Sequence, residues 1–207
     1  MPKDNNINIT INDQPVSVPK GTLVVEAAKQ IGIDIPVFCY HEKLGPFGCC
    51  RMCLVEVEKM PKLTTACTQT VMPDMVVKTE SPKVVKAQQG VLEFTLLNHP
   101  LDCPVCDKGG ECPLQDNTFK FGPGTTRMEF DRANQDKATP LSPVITIDRE
   151  RCIACQRCTR YSDIIEQEQA LVMLNRGFNN EVNTFNDEPY TTKYSGNVID
   201  ICPVGAL

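Results

Sequence analysis

Tryptophan is absent from this sequence of 207 residues, and only 6% of the residues are aromatic. The apolar core is therefore expected to be modest, and small domains with modest cores often depend on a metal centre for folding free energy. No apolar run approaches the length of about 18 residues that a membrane-spanning helix needs. The polar N-terminus, Met-Pro-Lys-Asp-Asn-Asn, does not resemble a signal peptide. These absences predict a cytosolic chain.

Residues for hydrolytic or nucleotide-binding chemistry are also scarce. The chain has two histidines, His41 and His99, which leaves little material for a triad of nucleophile, histidine and acid. No Gly-x-Gly-x-x-Gly motif follows a predicted strand, so we do not expect the chain to bind NADH itself. The formal net charge of -5 argues against a nucleic-acid binder, which usually has a basic face. No catalytic site is expected in this chain alone.

Cysteine, in contrast, is abundant, with twelve in the chain. Without an export signal these thiols are expected to be reduced, so metal binding is favoured over disulfides. Eleven cysteines and one histidine fall into three groups of four soft donors, which predicts three iron–sulfur clusters. We name the groups the first quartet (Cys39, Cys50, Cys53 and Cys67), the second quartet (His99, Cys103, Cys106 and Cys112) and the third quartet (Cys152, Cys155, Cys158 and Cys202).

The second quartet has the densest spacing, with His-x3-Cys-x2-Cys-x5-Cys inside fourteen residues. Two prolines and two adjacent glycines in this stretch favour an open backbone that can surround a compact metal centre. The spacing favours an iron–sulfur cluster. Zinc bound by three cysteines and one histidine is an alternative, and so is a His99 that takes no part in binding.

The region around the first quartet predicts a β-grasp, the fold of plant-type ferredoxins. Residues 6–11 alternate polar and apolar like a half-buried strand, and 16–18 can return as the second strand of a hairpin. A helix is expected over 23–31, and further strands over 52–58 and 75–79. Plant-type [2Fe–2S] ferredoxins use Cys-x4-Cys-x2-Cys and a distant cysteine. The first gap is longer here, at ten residues.

The third quartet begins with three cysteines at two-residue gaps and ends with Cys202 followed by proline. Both features belong to the bacterial ferredoxin motif. A two-cluster ferredoxin repeats the whole motif, whereas this chain has no cysteine between Cys158 and Cys202. The spacing therefore predicts a single [4Fe–4S] cluster in this region.

The overall prediction is an α+β chain. A helix is expected over 81–98, with Ser81 as its N-cap, and another over 159–169, after a strand over 144–148. The predicted segments are 1–80, a β-grasp [2Fe–2S] ferredoxin-like domain; 81–120, a helix with the one-histidine, three-cysteine [4Fe–4S] segment; 121–140, a linker; and 141–207, a bacterial-ferredoxin-like [4Fe–4S] domain.

Several stretches resemble a known family. Phe38–His41, Gly48–Val57 and Thr65–Cys67 look like the [2Fe–2S] domain of the electron-input iron–sulfur subunit of respiratory NADH:quinone oxidoreductase (complex I), a family with the longer first gap. Asn98–Asp116 is similar, nearly residue for residue, to the one-histidine, three-cysteine segment of complex I and iron-only hydrogenases. Residues 195–207 match the complex I pattern Ser-Gly-Asn-x-Ile-Asp-x-Cys-Pro-Val-Gly-Ala-Leu.

The resemblance assigns roles to individual residues. It implies that the second quartet ligates a [4Fe–4S] cluster. It also favours Cys50 over its neighbour Cys49 as a ligand, because Cys50-x2-Cys53 preserves the family's Cys-Arg-Met-Cys. Cys49 as the ligand is the alternative on spacing, and a small filler side chain is its simplest role otherwise. His41 is expected to face solvent or to form a hydrogen bond rather than to bind metal.

Three arginines lie beside predicted ligands in the sequence, namely Arg51, Arg157 and Arg160. They could offset the negative charge of bound clusters. Ordinary surface cations are the alternative interpretation.

The implied function is electron transfer in complex I through one [2Fe–2S] and two [4Fe–4S] clusters. Electrons would come from a flavin-bearing subunit that oxidises NADH and would pass through further iron–sulfur subunits towards quinone. The implied location is the peripheral arm, on the cytoplasmic face of the bacterial inner membrane or the equivalent matrix or stromal side, with membrane association through partners. The alternatives are a diaphorase subunit of a soluble NAD-reducing hydrogenase or formate dehydrogenase, and a zinc-stabilised interaction module.

Overall fold

The computed structural model describes residues 5–207, apart from the side chains of Phe178 and Asp187. The chain forms two compact units. The first unit contains the described residues up to Tyr40, Pro46–Leu92 and Phe121–Pro123, and the second contains His41–Gly45, Glu93–Lys120 and Gly124–Leu207. The first quartet lies in the first unit, and the second and third quartets lie in the second unit. The segment boundaries given above stay a prediction.

A five-stranded sheet forms the centre of the first unit. Its strands are β1 (Asn6–Ile11), β2 (Gln14–Pro19), β3 (Leu54–Val57), β4 (Thr64–Thr65) and β5 (Val76–Lys78). Their order across the sheet is β2-β1-β5-β3-β4. β1 pairs antiparallel with β2 and parallel with β5. The hairpin and the later strands expected from the sequence are therefore confirmed.

The turn between β1 and β2 is tight because Asn12 and Asp13 both adopt left-handed backbone angles, with φ of 46° and 65°. Two-residue hairpin turns of this kind favour asparagine and aspartate. Asn12 also fixes the turn to the end of β5. Its Nδ2 donates to Thr79 Oγ1 at 2.6 Å, and its Oδ1 accepts from the Thr79 backbone N–H at 2.8 Å.

Helix α1 (Val24–Gln30) packs an apolar face into the core of the first unit. Glu26 connects this helix to its surroundings through both carboxylate oxygens. One oxygen accepts from the Leu23 backbone N–H at 3.2 Å, which caps the helix, and the other accepts from the Tyr40 hydroxyl at 2.8 Å. The residue next to Cys39 is therefore held by the helix.

Helix α2 (Pro82–Leu96) begins where the sequence predicted, since Ser81 Oγ accepts from the Val84 backbone N–H at 3.4 Å. Within the first unit, the buried Gln88 donates from Nε2 to the Leu54 carbonyl at 3.2 Å. The helix ends two residues before the expected Asn98. His99 lies three residues after this end of the helix, and its backbone N–H donates to the Leu96 carbonyl at 3.2 Å.

The second unit contains short elements around a buried core that includes Tyr190, Leu171 and Ile147. In chain order these elements are α3 (Pro113–Phe121), β6 (Thr139–Pro140), β7 (Thr146–Ile147), α4 (Arg157–Tyr161), β8 (Leu171–Leu174), β9 (Glu181–Thr184) and α5 (Asn197–Ile201). β6 pairs antiparallel with β7, and β8 pairs antiparallel with β9. Within the described residues, no helix is both long enough and apolar enough to cross a lipid bilayer.

The helix predicted over 159–169 is wrong in both bounds. α4 begins at Arg157, and after Tyr161 the chain continues as a wider π-helical turn, Ser162–Glu166. The reason is the buried Ser162, whose Oγ accepts from the backbone N–H groups of Ala170 at 2.9 Å and Leu171 at 3.3 Å. This hydroxyl brings the chain back into β8 before another helical turn can form.

We expect Asn12→Ala to lower the free energy of unfolding of the first unit by about 1–3 kcal/mol more than Asp13→Ala does, as measured by urea denaturation. Both substitutions place alanine at a left-handed turn position, so they share the backbone strain. Only Asn12 bonds to Thr79. Equal losses in the two variants would contradict a role for these hydrogen bonds.

Candidate metal centres

The first quartet lies on the loops that flank β3 and β4. Cys53 directly precedes β3, and Cys67 lies just after β4, where the Ala66 backbone N–H donates to the Cys53 carbonyl at 2.9 Å. Cys39, Cys53 and Cys67 are fully buried, and Cys50 is half-buried. Three separate loops thus bring the cysteines of the first quartet to one part of the first unit.

The thiols of the first quartet form hydrogen bonds with one another and with the neighbouring Cys49. Bonds from Cys49, Cys50 and Cys67 hold the pKa of Cys39 well below its usual range. The bonds to Cys39, together with burial, raise the pKa of Cys50, and bonds to Cys39 and Cys53 raise that of Cys67. A bond from Cys67 lowers the pKa of Cys53. The four predicted ligands are therefore gathered at one place.

The structure distinguishes the two adjacent thiols at this site. Cys49 is exposed, whereas Cys50 is half-buried and its Sγ accepts the Cys39 backbone N–H at 3.4 Å. Amide-to-sulfur hydrogen bonds of this kind accompany thiolates that bind iron. These observations favour Cys50, and its role as the ligand stays a prediction. His41 accepts from the Lys43 backbone N–H at 3.2 Å through Nδ1, a hydrogen-bonding role of the expected kind.

The second quartet lines a single cavity of about 160 Å³. All four of its donors are in the wall, together with apolar side chains that include Leu96, Leu114 and Val204. The wall also contains two residues that the sequence analysis did not single out, Arg151 and Gly205. Both lie near third-quartet cysteines in the sequence, so spacing alone associates them with a different site.

Two glycines allow the backbone to approach the second quartet closely. A Cβ atom on Gly205 would overlap Cys106 Sγ, and one on Gly109 would lie 3.0 Å from the Cys103 carbonyl oxygen. Any larger side chain at Gly205 must therefore displace the Cys106 thiol. This close approach is the local reason for a glycine at these positions.

The state of His99 fits metal ligation. Burial lowers the pKa of its imidazole, so the ring is neutral near pH 7, which is the form that binds metal. Its Nδ1 is buried and forms no hydrogen bond with the described residues. Burial also raises the pKa of Cys112, whose thiol donates to the Pro203 carbonyl at 3.8 Å. The neutral imidazole of His99 and the three cysteine sulfurs thus line one cavity.

The third quartet lines another, smaller pocket, with all four cysteines in its wall. Cys155, Cys158 and Cys202 are buried. Burial raises the pKa of Cys152 to about 11 and that of Cys155 to about 12, and it raises the pKa of Cys158 and Cys202 as well. Thiolates at these positions therefore need compensating charge or hydrogen bonds.

Backbone amides provide part of this compensation. The Ala154 N–H donates to Cys152 Sγ at 3.4 Å, and the amides of Val204, Ala206 and Leu207 favour the thiolate of Cys202. The loop can aim its amides inwards because Ala154 and Gln156 have left-handed angles, with φ of 50° and 61°. Alternating angles of this kind form anion-binding concavities in which several N–H groups converge.

Of the three arginines noted in the sequence, Arg160 is not a surface cation. It is buried, and its guanidinium donates to the carbonyl oxygens of Leu44 and, at 3.0 Å, Gly45. Arg157 donates to the Ile201 carbonyl at 3.4 Å, beside Cys202. Arg51 is exposed.

All twelve cysteines are free thiols in the structure. Over residues 5–207, no group of three or more His, Cys, Asp or Glu side chains is arranged to hold a metal ion. An iron–sulfur cluster places a different requirement on its ligands, because they bind iron atoms at the periphery of a larger core rather than one central ion.

Three family models match the chain and together span most of it. They are a 2Fe-2S iron-sulfur cluster binding domain over residues 4–82, the NADH-ubiquinone oxidoreductase-G iron-sulfur binding region over 88–127, and the ferredoxin-like domain of NADH-quinone oxidoreductase subunit 3 over 142–207. Each quartet falls inside one of these regions. The predicted fold class is thereby confirmed, and the chain contains a [2Fe–2S] cluster-binding domain followed by [4Fe–4S]-type regions.

Relatives match along the whole chain. A subunit of the NADH-quinone oxidoreductase of Streptomyces coelicolor is 48% identical over 209 residues, which cover 100% of this chain and 25% of that protein. The NADH-ubiquinone oxidoreductase 75 kDa subunit of Reclinomonas americana is 46% identical over 97% of this chain and 29% of its own length. The chain belongs to this family of large iron–sulfur subunits.

The mitochondrial NADH dehydrogenase [ubiquinone] iron-sulfur protein 1 of Solanum tuberosum is a further relative in the same family. It is 48% identical over 97% of this chain and 27% of its own length. The chain thus spans between 25% and 29% of the length of these three relatives.

A solved structure is also similar to this member of the large iron–sulfur subunit family. The matching chain belongs to the crystal structure of an NAD+-reducing [NiFe]-hydrogenase in the H2-reduced state. The TM-score is 0.85 at 29% sequence identity, and the match covers 97% of this chain and 86% of that chain. Subunits of different multi-subunit oxidoreductases therefore share this architecture.

We expect Gly205→Ala to remove iron from the second quartet, because the added methyl group would displace the Cys106 thiol. The loss should be about four iron atoms per chain if that quartet holds a [4Fe–4S] cluster. The measurement is iron content after anaerobic reconstitution. Gly196→Ala is the matched control, because a Cβ at that position meets nothing within 4 Å. Full iron content in Gly205→Ala would contradict the assignment.

Proposed function

We propose that this chain is an iron–sulfur electron-transfer part of NADH:quinone oxidoreductase (complex I). In this proposal the first quartet holds one [2Fe–2S] cluster, and the second and third quartets hold one [4Fe–4S] cluster each. When bound, such clusters accept and release single electrons. The chain itself binds them, excludes water from them and sets their potentials, and it performs no bond-making chemistry of its own.

The observation that carries the proposal is the cavity of the second quartet. Four donors from a fourteen-residue stretch converge on it, with His99 neutral and with Gly205 leaving room for the Cys106 thiol. Identity of 43–49% to several complex I subunits over nearly the whole chain supports the same assignment. A single zinc ion would not explain why the chain repeats four-donor groups in three separate regions.

The ligand types predict that the two [4Fe–4S] centres differ in reduction potential. Replacing one thiolate with the neutral imidazole of His99 makes the second-quartet cluster less negative by one charge, which favours its reduction. The third quartet has four thiolates, and backbone amides such as that of Ala154 offset part of their charge. Ligand identity and amide hydrogen bonds are thus the means by which this chain sets cluster potentials.

The proposal includes partners and a location. Electrons would enter from a flavin-bearing, NADH-oxidising subunit and leave through further iron–sulfur subunits towards quinone. The relatives are subunits of multi-subunit complexes, and membrane association would come through such partners. The chain would lie in the peripheral arm, on the cytoplasmic face of a bacterial inner membrane or the corresponding matrix or stromal side.

A second candidate is the diaphorase part of a soluble NAD-reducing hydrogenase. The similarity to the hydrogenase chain favours it, because the match covers 86% of that chain compared with 25% of the Streptomyces coelicolor relative. The lower identity, 29% compared with 48%, argues for complex I. Deleting the gene separates the two candidates, since complex I predicts loss of NADH:quinone reductase activity in membranes and the hydrogenase predicts loss of hydrogen-dependent NAD reduction.

Iron content tests the electron-transfer proposal directly. Anaerobically purified chain should be brown and contain about ten iron atoms. Electron paramagnetic resonance of the dithionite-reduced protein should show one [2Fe–2S] and two [4Fe–4S] signals. A colourless, folded protein that contains only zinc would instead support the interaction module.

Substitutions at the adjacent thiols test the first quartet. We expect Cys50→Ser to abolish the [2Fe–2S] resonance, because it removes the half-buried sulfur that accepts the Cys39 amide. Cys49→Ser is the matched control and should leave the resonance in place, because Cys49 is exposed. The reverse outcome would make Cys49 the ligand.

A further inference from the structure

Arg151 is the one arginine in the wall of the second-quartet cavity, as far as residues 5–207 are concerned. Its side chain is only 16% exposed, so its charge acts through protein rather than through bulk water. Arginine remains protonated at any ordinary pH. A fixed positive charge therefore lies beside the four donors.

The guanidinium of Arg151 contacts both segments that form the cavity. Its Nε lies 3.1 Å from Asp102 Oδ2, next to Cys103 in the stretch that carries the second quartet. Its NH1 donates to the Gly205 carbonyl at 3.4 Å, and Gly205 is the residue that packs against Cys106 Sγ. Arg151 thus connects two stretches about a hundred positions apart in the sequence.

A small charge network surrounds the guanidinium. Asp148 Oδ2 lies 3.3 Å from Arg151 Nε. Lys137 Nζ lies 2.6 Å from Asp102 Oδ2, 2.8 Å from Glu150 Oε2 and 3.7 Å from Asp148 Oδ2. The network therefore contains three carboxylates and two cations, with Arg151 as the cation that reaches the cavity wall. Removing Arg151 would leave three negative charges opposed only by Lys137.

The charge of Arg151 interacts electrostatically with donors of the second quartet. Burial works against the charged guanidinium, yet Asp102, Cys106 and Asp148 together raise the pKa of Arg151 above its usual value. For His99, burial is the main cause of its lowered pKa; the Asp102 charge opposes this shift, and the Arg151 charge acts in the same direction as burial. One cation is thus electrostatically coupled to a sulfur and a nitrogen of the second quartet.

We propose that Arg151 positions the wall of the second-quartet cavity and raises the reduction potential of the cluster bound there. Reduction adds one negative charge to the cluster, and a nearby buried cation stabilises the reduced form more than the oxidised form. Two different guanidinium nitrogens bond to Asp102 and to the Gly205 carbonyl, which holds the cation in the cavity wall. This inference rests on the proposed function, because it requires a redox-active cluster in the second quartet.

Redox titration of the cluster-loaded chain, followed by electron paramagnetic resonance, tests the inference. In Arg151→Gln the equilibrium constant for reducing the second-quartet cluster should fall about tenfold, which corresponds to ~59 mV for one electron. Arg151→Lys keeps the charge and should restore most of the potential. Asp102→Asn removes a negative charge from the same network and should shift the potential in the opposite direction. Arg127→Gln, at an arginine whose side chain is 83% exposed, is the control and should change nothing.

Each outcome distinguishes the inference from the function on which it rests. A wild-type chain without iron would overturn the proposed function. A wild-type cluster whose potential is the same in Arg151→Gln would overturn only the inference. If Arg151→Gln cannot hold the cluster, the reduction potential of the cluster in Asp102→Asn tests the inference instead. An unchanged or more negative potential in that variant would contradict a role for the charge network.

Discussion

The burial of sulfur is the constraint on which the rest of this structure depends. A buried thiol resists ionisation, as the pKa values of about 11 and 12 at Cys152 and Cys155 show, yet metal binding needs the thiolate. The chain must therefore provide positive potential wherever it gathers cysteines. In the described residues, backbone amides and a guanidinium are two sources that the structure offers.

Each quartet uses a different combination of these sources. In the first quartet, hydrogen bonds between thiols lower the pKa of Cys39 and Cys53 but raise that of Cys50 and Cys67, and the Cys39 backbone N–H donates to Cys50 Sγ. In the third quartet, left-handed angles at Ala154 and Gln156 direct amides towards sulfur. The second quartet replaces one thiolate with neutral His99 and places Arg151 in the cavity wall. The second quartet would therefore carry one buried negative charge fewer than a set of four thiolates.

Sequence patterns predicted the local features of the fold and missed those that depend on distant partners. Strand β1 and its turn at Asn12 follow from alternation and turn chemistry. The hairpin β8–β9 was not predicted, because β8 is apolar throughout and the alternation of β9 covers only four residues. Helix α3 was missed although Pro113 stands at its first position, a recognised start signal. For the candidate sites, spacing selected the twelve donors but not the residues that surround them.

Arg151 shows why the residues that surround the donors could not be predicted from the sequence. It immediately precedes Cys152, so the sequence associates it with the third quartet, whereas its side chain lies in the wall of the second-quartet cavity. A peptide bond therefore joins a wall residue of one candidate centre to a ligand of the other. Because the backbone at this point serves both centres, a change that moves Arg151 also moves Cys152. A substitution at Arg151 is therefore expected to affect both candidate centres.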